Sequence, residues 1–160
     1  MAYELELKCG FTSIQSYTTR PRRSRHEYGH IFVTDAEFDD LKDLVAYTEF
    51  DNFRYGTTAE QIEQNNLYII DPAGVKYFKE HYHGSKHPRV IYLFTPKQDR
   101  ILRMKHRGDT DAQIAQRLAN DTEAFKNVHS ISDIVIPNVN LEDCVDCCYR
   151  YVVNMEIANA

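Results

Sequence analysis

The sequence predicts an α/β domain, a parallel-sheet core interrupted by an inserted β-rich lobe. Three observations carry this expectation. Two continuous apolar runs, "LYIID" at 67–71 and "RVIYLFT" at 89–95, have the character of strands buried on both faces of a parallel sheet. Each is followed by a stretch of helical period, the alternation typical of the class. Between residues 16 and 58 that rhythm gives way to hairpin-like alternation. A chain of 160 residues has the length of a single domain, with residues 1–15 and 59–160 as core and 16–58 as insert.

Each element has a local reason. "AYELELK" reads as a short helix stopped by Gly10, and "FTSIQS" as the strand after it. "GHIFVT" is a second extended piece. Thr34 and Glu37 form a T-x-x-E capping box that opens a helix through "AEFDDLKDL". "VAYTEFDNFRYGTT" alternates like a hairpin, and Thr58 with Gln61 opens "AEQIEQNN" by a second capping box. Pro72 ends "LYIID", and "AGVKYFKEHY" is helical. "RVIYLFT" ends at Pro96, and "KQDRILRMKHR" is a helix closed by Gly108. Thr110 and Gln113 cap "DAQIAQRLANDTEAFKNV", "SDIVIPN" is the last strand, and "LEDCVDCCYRYVVNMEIA" is the closing helix.

Composition narrows the function classes. The net charge is −5 with a pI near 5.8, which argues against a general nucleic-acid binder. No apolar run approaches the ~20 residues of a membrane span. "MAYELELKCG" has neither a basic region nor an apolar signal core, so a cytoplasmic protein is expected. The crowded "CVDCC" suits reduced thiols on a helix better than a disulfide framework, and it lacks an evident fourth ligand for zinc. His81, His83 and His87 sit in a polar loop, and no metal site is expected.

Against this acidic background, "SYTTRPRRSR" packs Arg20, Arg22, Arg23 and Arg25 beside Ser16, Tyr17, Thr18 and Thr19. A guanidinium offers a planar fork that matches phosphate oxygens two at a time. The cluster follows a strand end, and Asp71 closes another; ligands of open α/β sheets sit at such ends. Arg103 and Arg107 are four apart and share a helix face, with Arg117 on the next helix. Three arginines around a turn suit the spread charge of a transferring phosphoryl group.

"SYTTRPR", "RYGTT", "YIIDPAGV", "ILRMKHRGDTDAQIAQRL" and "VIPNVNLED" occur in the order and spacing of the guanylate kinases, and the chain resembles that family from about Thr12 onward. The resemblance implies a P-loop kinase-like core, a monophosphate-binding lobe and a helical lid at about 97–120. It implies transfer of the ATP γ-phosphoryl group to GMP, dGMP or a related monophosphate, with magnesium. It implies that Ser16 belongs to the GMP site and that Arg20 and Arg22 grip the phosphate. It implies that Tyr55 donates to that phosphate, and His30 stands where the family has a tyrosine. It implies further that Thr57 contacts guanine, that Asp71 lies near the base, and that Arg103, Arg107 and Arg117 are the catalytic arginines of the lid.

The match departs at its start. A P-loop needs G-x-x-x-x-G-K-[ST], and none of the six glycines is followed by Lys and then Ser or Thr. The chain is expected to begin inside the helix that follows the P-loop, without the first strand, and so to be inactive as it stands. Two neighbouring strands would then lose ladder partners, at roughly 1–3 kcal/mol per buried unpaired group. An upstream gene start, a rearrangement, or a homodimer completing or covering the sheet would each fill the gap. At the base site, the carboxylate that reads guanine in the family falls at Ala46, and Ile69 replaces another acid. The alternative function is a non-catalytic guanylate-kinase-like module that binds a mononucleotide or a phosphopeptide. Neither reading involves nucleic acid or a membrane.

Overall fold

The computed structural model describes the backbone of residues 1–159 and the side chains of 1–155. It has two compact units, Glu6–Pro88 with Ala2, and the chain from Arg89 onward with Met1 and Tyr3–Leu5. Helix α1 (Ala2–Cys9) buries Leu5 and stops at Gly10, whose φ of 68° is the left-handed conformation that glycine adopts without strain.

In the unit from Glu6 to Pro88, β1 (Ser16–Thr18), β2 (His30–Phe32), β3 (Leu44–Phe50) and β4 (Phe53–Thr58) form one sheet in the order β2-β1-β4-β3. The β1–β2 pair is parallel and the others are antiparallel. Between β2 and β3 lies the short helix α2 (Asp35–Asp39), opened by the capping box of Thr34 and Glu37. The β3–β4 hairpin turns on Asp51 and Asn52, with φ of 51° and 62°. Two positive φ values in a two-residue loop match the right-handed twist of the flanking strands. Gly56 is required by close approach, since a Cβ there would lie 2.9 Å from Phe38 Cζ. Helix α3 (Ala59–Gln64) starts at the Thr58–Gln61 capping box, and α4 (Pro72–His81) packs on β3. Ile14, Val45 and Ile62 form the buried cluster, with Ala59, Tyr68, Phe78 and Tyr82 packed against it.

The second unit contains β5 (Ile91–Phe94), α5 (Lys97–Arg107), α6 (Asp111–Ala124), α7 (Val128–Ile131), β6 (Ile134–Pro137) and α8 (Leu141–Asn159). β5 and β6 pair in parallel, Ile91 opposite Ile134. Gly108 ends α5 at φ 97°, and Thr110 caps α6 by its box with Gln113. Cys144, Val145 and Cys148 are buried on one face of α8, which packs on β6.

Several expectations are corrected. "LYIID" is not a doubly buried strand. Only Leu67 bridges, to Ser13, and Ile69 is 75% exposed. A strand needs donors and acceptors alongside it. Here Thr12–Ile14 supply them for Leu67 alone, and Asp71 and Pro72 then turn the chain into α4. The parallel core pairing expected around this run is therefore confined to one bridge, whereas "RVIYLFT" and "SDIVIPN" do pair in parallel. The strand expected in "FTSIQS" begins only at Ser16. Helix α2 ends at Asp39, short of the expected Leu44, and α6 ends at Ala124 before a separate turn of helix, α7. The Asn120–Asp121–Thr122 run weakens helix propensity there.

Candidate anion-binding site

The register of β1 creates the site. β1 pairs with β4 so that Thr18 lies opposite Tyr55, and with β2 so that Ser16 lies opposite His30. The arginine-rich segment leaves β1 beside the aromatic side chains of β2 and β4. A hollow of about 300 Å³ opens there, walled by Arg20, Arg22, Arg23 and Tyr55 together with Pro21, Phe50, Asp51 and Phe53.

Arg20 is only 7% exposed, an unusual position for a guanidinium. Its charge is met by Glu27: Nη2 donates to Oε1 at 2.7 Å and Nη1 to Oε2 at 3.3 Å. Nη1 also donates to the Pro21 carbonyl at 2.8 Å. The hydrogen bond to Glu27 raises the Arg20 pKa above its ordinary value; burial opposes this, and Tyr55 adds to it. In return, the Arg20 hydrogen bond, with that of the Arg23 backbone amide, pushes Glu27 down to about 2. The Phe32 ring lies under both guanidinium groups, 5.4 Å from Arg20 and 4.2 Å from Arg22.

Ser16 is buried and its Oγ lies 2.9 Å from His30 Nδ1. The His30 ring makes an edge contact with Tyr55 at 5.6 Å. Burial, then the Arg20 charge, holds the His30 imidazole below its usual pKa; the Ser16 hydrogen bond and Glu27 oppose them. Ser16, Arg20, Arg22, His30 and Tyr55 are thus gathered around one place. Thr57 and Asp71 are held by interior contacts. Thr57 is fully buried and donates to Tyr68 Oη at 2.8 Å; burial pushes the Tyr68 phenol up to about 12. Asp71 caps α4, accepting from the Gly74 amide at 2.6 Å and from Thr48 Oγ1 at 2.9 Å. Ala46 is buried, and the exposed carboxylate of Glu49 accepts from the Tyr47 hydroxyl.

The later arginines lie in the second unit and are held by separate partners. Arg103 donates to the carbonyls of Asn138 at 2.7 Å and Val139 at 3.2 Å. Arg107 pairs with Asp109, and Arg117 with Asp121 at 3.6 Å. Two residues of the first site escaped the sequence reading, Glu27 altogether and Arg23 as a specific member. The available signal was that Glu27 is the only acid between Ser16 and Thr34.

The family model described as guanylate kinase matches residues 5–154. Among solved structures, the crystal structure of guanylate kinase from Anaplasma phagocytophilum is similar in fold, with a TM-score of 0.73 and 22% identity. The match covers 96% of this chain and 78% of that one. The search of curated proteins gives no match.

Proposed function

We propose, for a chain that belongs to the guanylate kinase family, that residues 16–58 hold the phosphate of a nucleoside monophosphate. The observation that carries this reading is the buried Arg20 on the wall of a hollow shared with Arg22, Arg23 and Tyr55. A nearly buried guanidinium with a stacked partner, on the wall of a hollow, is suited to a dianion. Ser16, Arg20, Arg22, His30 and Tyr55 make up the phosphate side. Thr57 and Asp71 belong to the framework behind it. The family's division into core, monophosphate lobe and lid extends this reading, with Arg103, Arg107 and Arg117 as the lid arginines.

The family implies ATP and magnesium. The donor set within these 160 residues does not fit them: no glycine is followed by Lys and Ser or Thr, so no backbone cradle with its lysine is supplied. We derive no step through either, and expect these residues alone to bind without transferring. Base selection is expected to be weak as well. Ala46 has no hydrogen-bonding side chain, the Thr57 hydroxyl is spent on Tyr68, and both Asp71 oxygens are occupied. A site that makes no hydrogen bond to a base edge loses its main means of discrimination. Among the described residues no helix is long and apolar enough to cross a membrane.

The test is calorimetry with GMP, dGMP and AMP, with and without ATP and magnesium, and with a phosphoserine peptide in parallel. Weak monophosphate binding, lost in Arg20→Ala, is expected. No binding of any phosphate ester overturns the site. Ordinary kinase turnover overturns the binding-only reading, and a peptide bound more tightly than GMP moves the assignment to a phosphopeptide module.

A further inference from the structure

We infer that Glu27 is a positioning residue of the anion site, a carboxylate that aims Arg20 at the ligand by holding its opposite edge. The inference rests on the reading above that Arg20 meets a phosphate.

A guanidinium has two usable edges, one between the terminal nitrogens and one between Nε and a terminal nitrogen. Glu27 takes the first, through Nη1 and Nη2. Pro21 O takes the other hydrogen of Nη1. Nε and the outer hydrogen of Nη2 make no bond to either, and Tyr55, which walls the same hollow, is a further hydrogen-bonding neighbour of Arg20. The hollow is walled by Arg20 and Tyr55, and Glu27 is not among the residues that wall it. The carboxylate therefore lies behind the arginine.

The same residue shapes the loop. Glu27 Oε2 accepts from the Arg23 backbone amide at 2.6 Å. Its carbonyl accepts from Arg22 Nη1 at 3.2 Å, and its own amide donates to Ser24 O at 3.3 Å. One acid thus ties together all three arginines that wall the hollow. A free carboxylate beside an anion site would weaken binding by repulsion. One that is engaged by Arg20 and Arg23 instead fixes where the remaining donors point, and the ordering cost is met before the ligand arrives.

Glu27→Gln separates these roles. The amide keeps the shape and removes the charge, and one of its two ends is a donor that cannot accept from Arg20. We expect Kd for GMP and for inorganic phosphate to rise at least tenfold, and the unfolding midpoint to fall as well, because the nearly buried Arg20 loses its counter-charge. Equal or tighter binding in the variant overturns the inference, because it makes Glu27 a bystander or a competitor. Should the variant fail to fold, the wild-type protein still decides. In 15N spectra the Arg20 Nη signals must remain slowed by Glu27 when phosphate is added, while Nε shifts. Loss of the slowed Nη signals on phosphate addition means that Glu27 is displaced, and overturns the role. Failure of the wild-type chain to bind GMP or phosphate at all removes the underlying site, an outcome distinct from either result on Glu27.

Discussion

Arg20→Lys isolates what the guanidinium contributes beyond its charge. Arg20 already makes three hydrogen bonds inside the protein, to Pro21 O and to both oxygens of Glu27. Nε and one Nη2 hydrogen make no bond to these, and Tyr55 is a further hydrogen-bonding neighbour of the group. A lysine ammonium at the same place is a point donor. It can reach Glu27 or the ligand with good geometry, and it cannot present two parallel donors to each. The net charge of the site is unchanged, so long-range attraction for the anion is retained. The loss is one charge-assisted hydrogen bond to phosphate, about 1.5–3 kcal/mol, or roughly a 10- to 150-fold rise in Kd. Stacking over Phe32 weakens at the same time, because the ammonium has no planar face. The assay is calorimetry with GMP and with inorganic phosphate at several ionic strengths. The salt dependence is expected to stay that of the wild type while the affinity falls. An Arg20→Lys protein within threefold of wild type at every salt concentration refutes the fork argument, since charge alone would then hold the anion.

Two further predictions concern the residues around the fork. His30 is held below its usual pKa by burial and by Arg20, so the unfolded chain binds a proton more readily than the folded one. Stability is then full above about pH 6.5 and falls as the pH drops through the lower folded value. Urea midpoints between pH 5 and 7.5 should show this slope in the wild type and a flatter one in His30→Gln; a wild-type slope of opposite sign would mean that the imidazole is stabilised as a cation. Thr57→Val removes the donor to Tyr68 from a fully buried position and should cost about 1–3 kcal/mol of stability, read by denaturant unfolding. The ratio of GMP to AMP affinity should not change in that variant, and a shift of tenfold or more would make Thr57 a reader of the base.

How much the sequence disclosed depends on whether the information was local. The three capping boxes are legible because the donor, the acceptor and their spacing all lie within four residues, and each is formed as read. The hairpin of β3 and β4 is equally local, since Asp51 and Asn52 accept the positive φ values its turn demands. The run "LYIID" does not form the expected strand, because its apolar character reports burial potential, whereas a strand also requires a partner of matching length. Thr12–Ile14 pair with it at Leu67 only, and no pattern within the run encodes that limit. Asp71 illustrates the same gap. Its place before Pro72 is a helix-start signal, and the structure uses both its oxygens within the fold.

The two arginine sets looked alike in sequence, and their surroundings separate them. Arg103, Arg107 and Arg117 each find a nearby carbonyl or carboxylate within the second unit, and all three are at least partly solvent-exposed. Their i,i+4 spacing describes a helix face and says nothing about whether donors are left over. Arg20 is nearly buried, with a carboxylate on one edge and the Tyr55 hydroxyl as a further neighbour, so its charge is compensated within the lobe. Burying a guanidinium is costly unless it is paired, and full pairing by protein groups would leave nothing for a ligand. A single acid among the bases of residues 16–34 meets both demands, because it neutralises the charge that folding must bury and leaves half the fork uncovered. An acidic chain can therefore carry a dense arginine segment without a general affinity for polyanions.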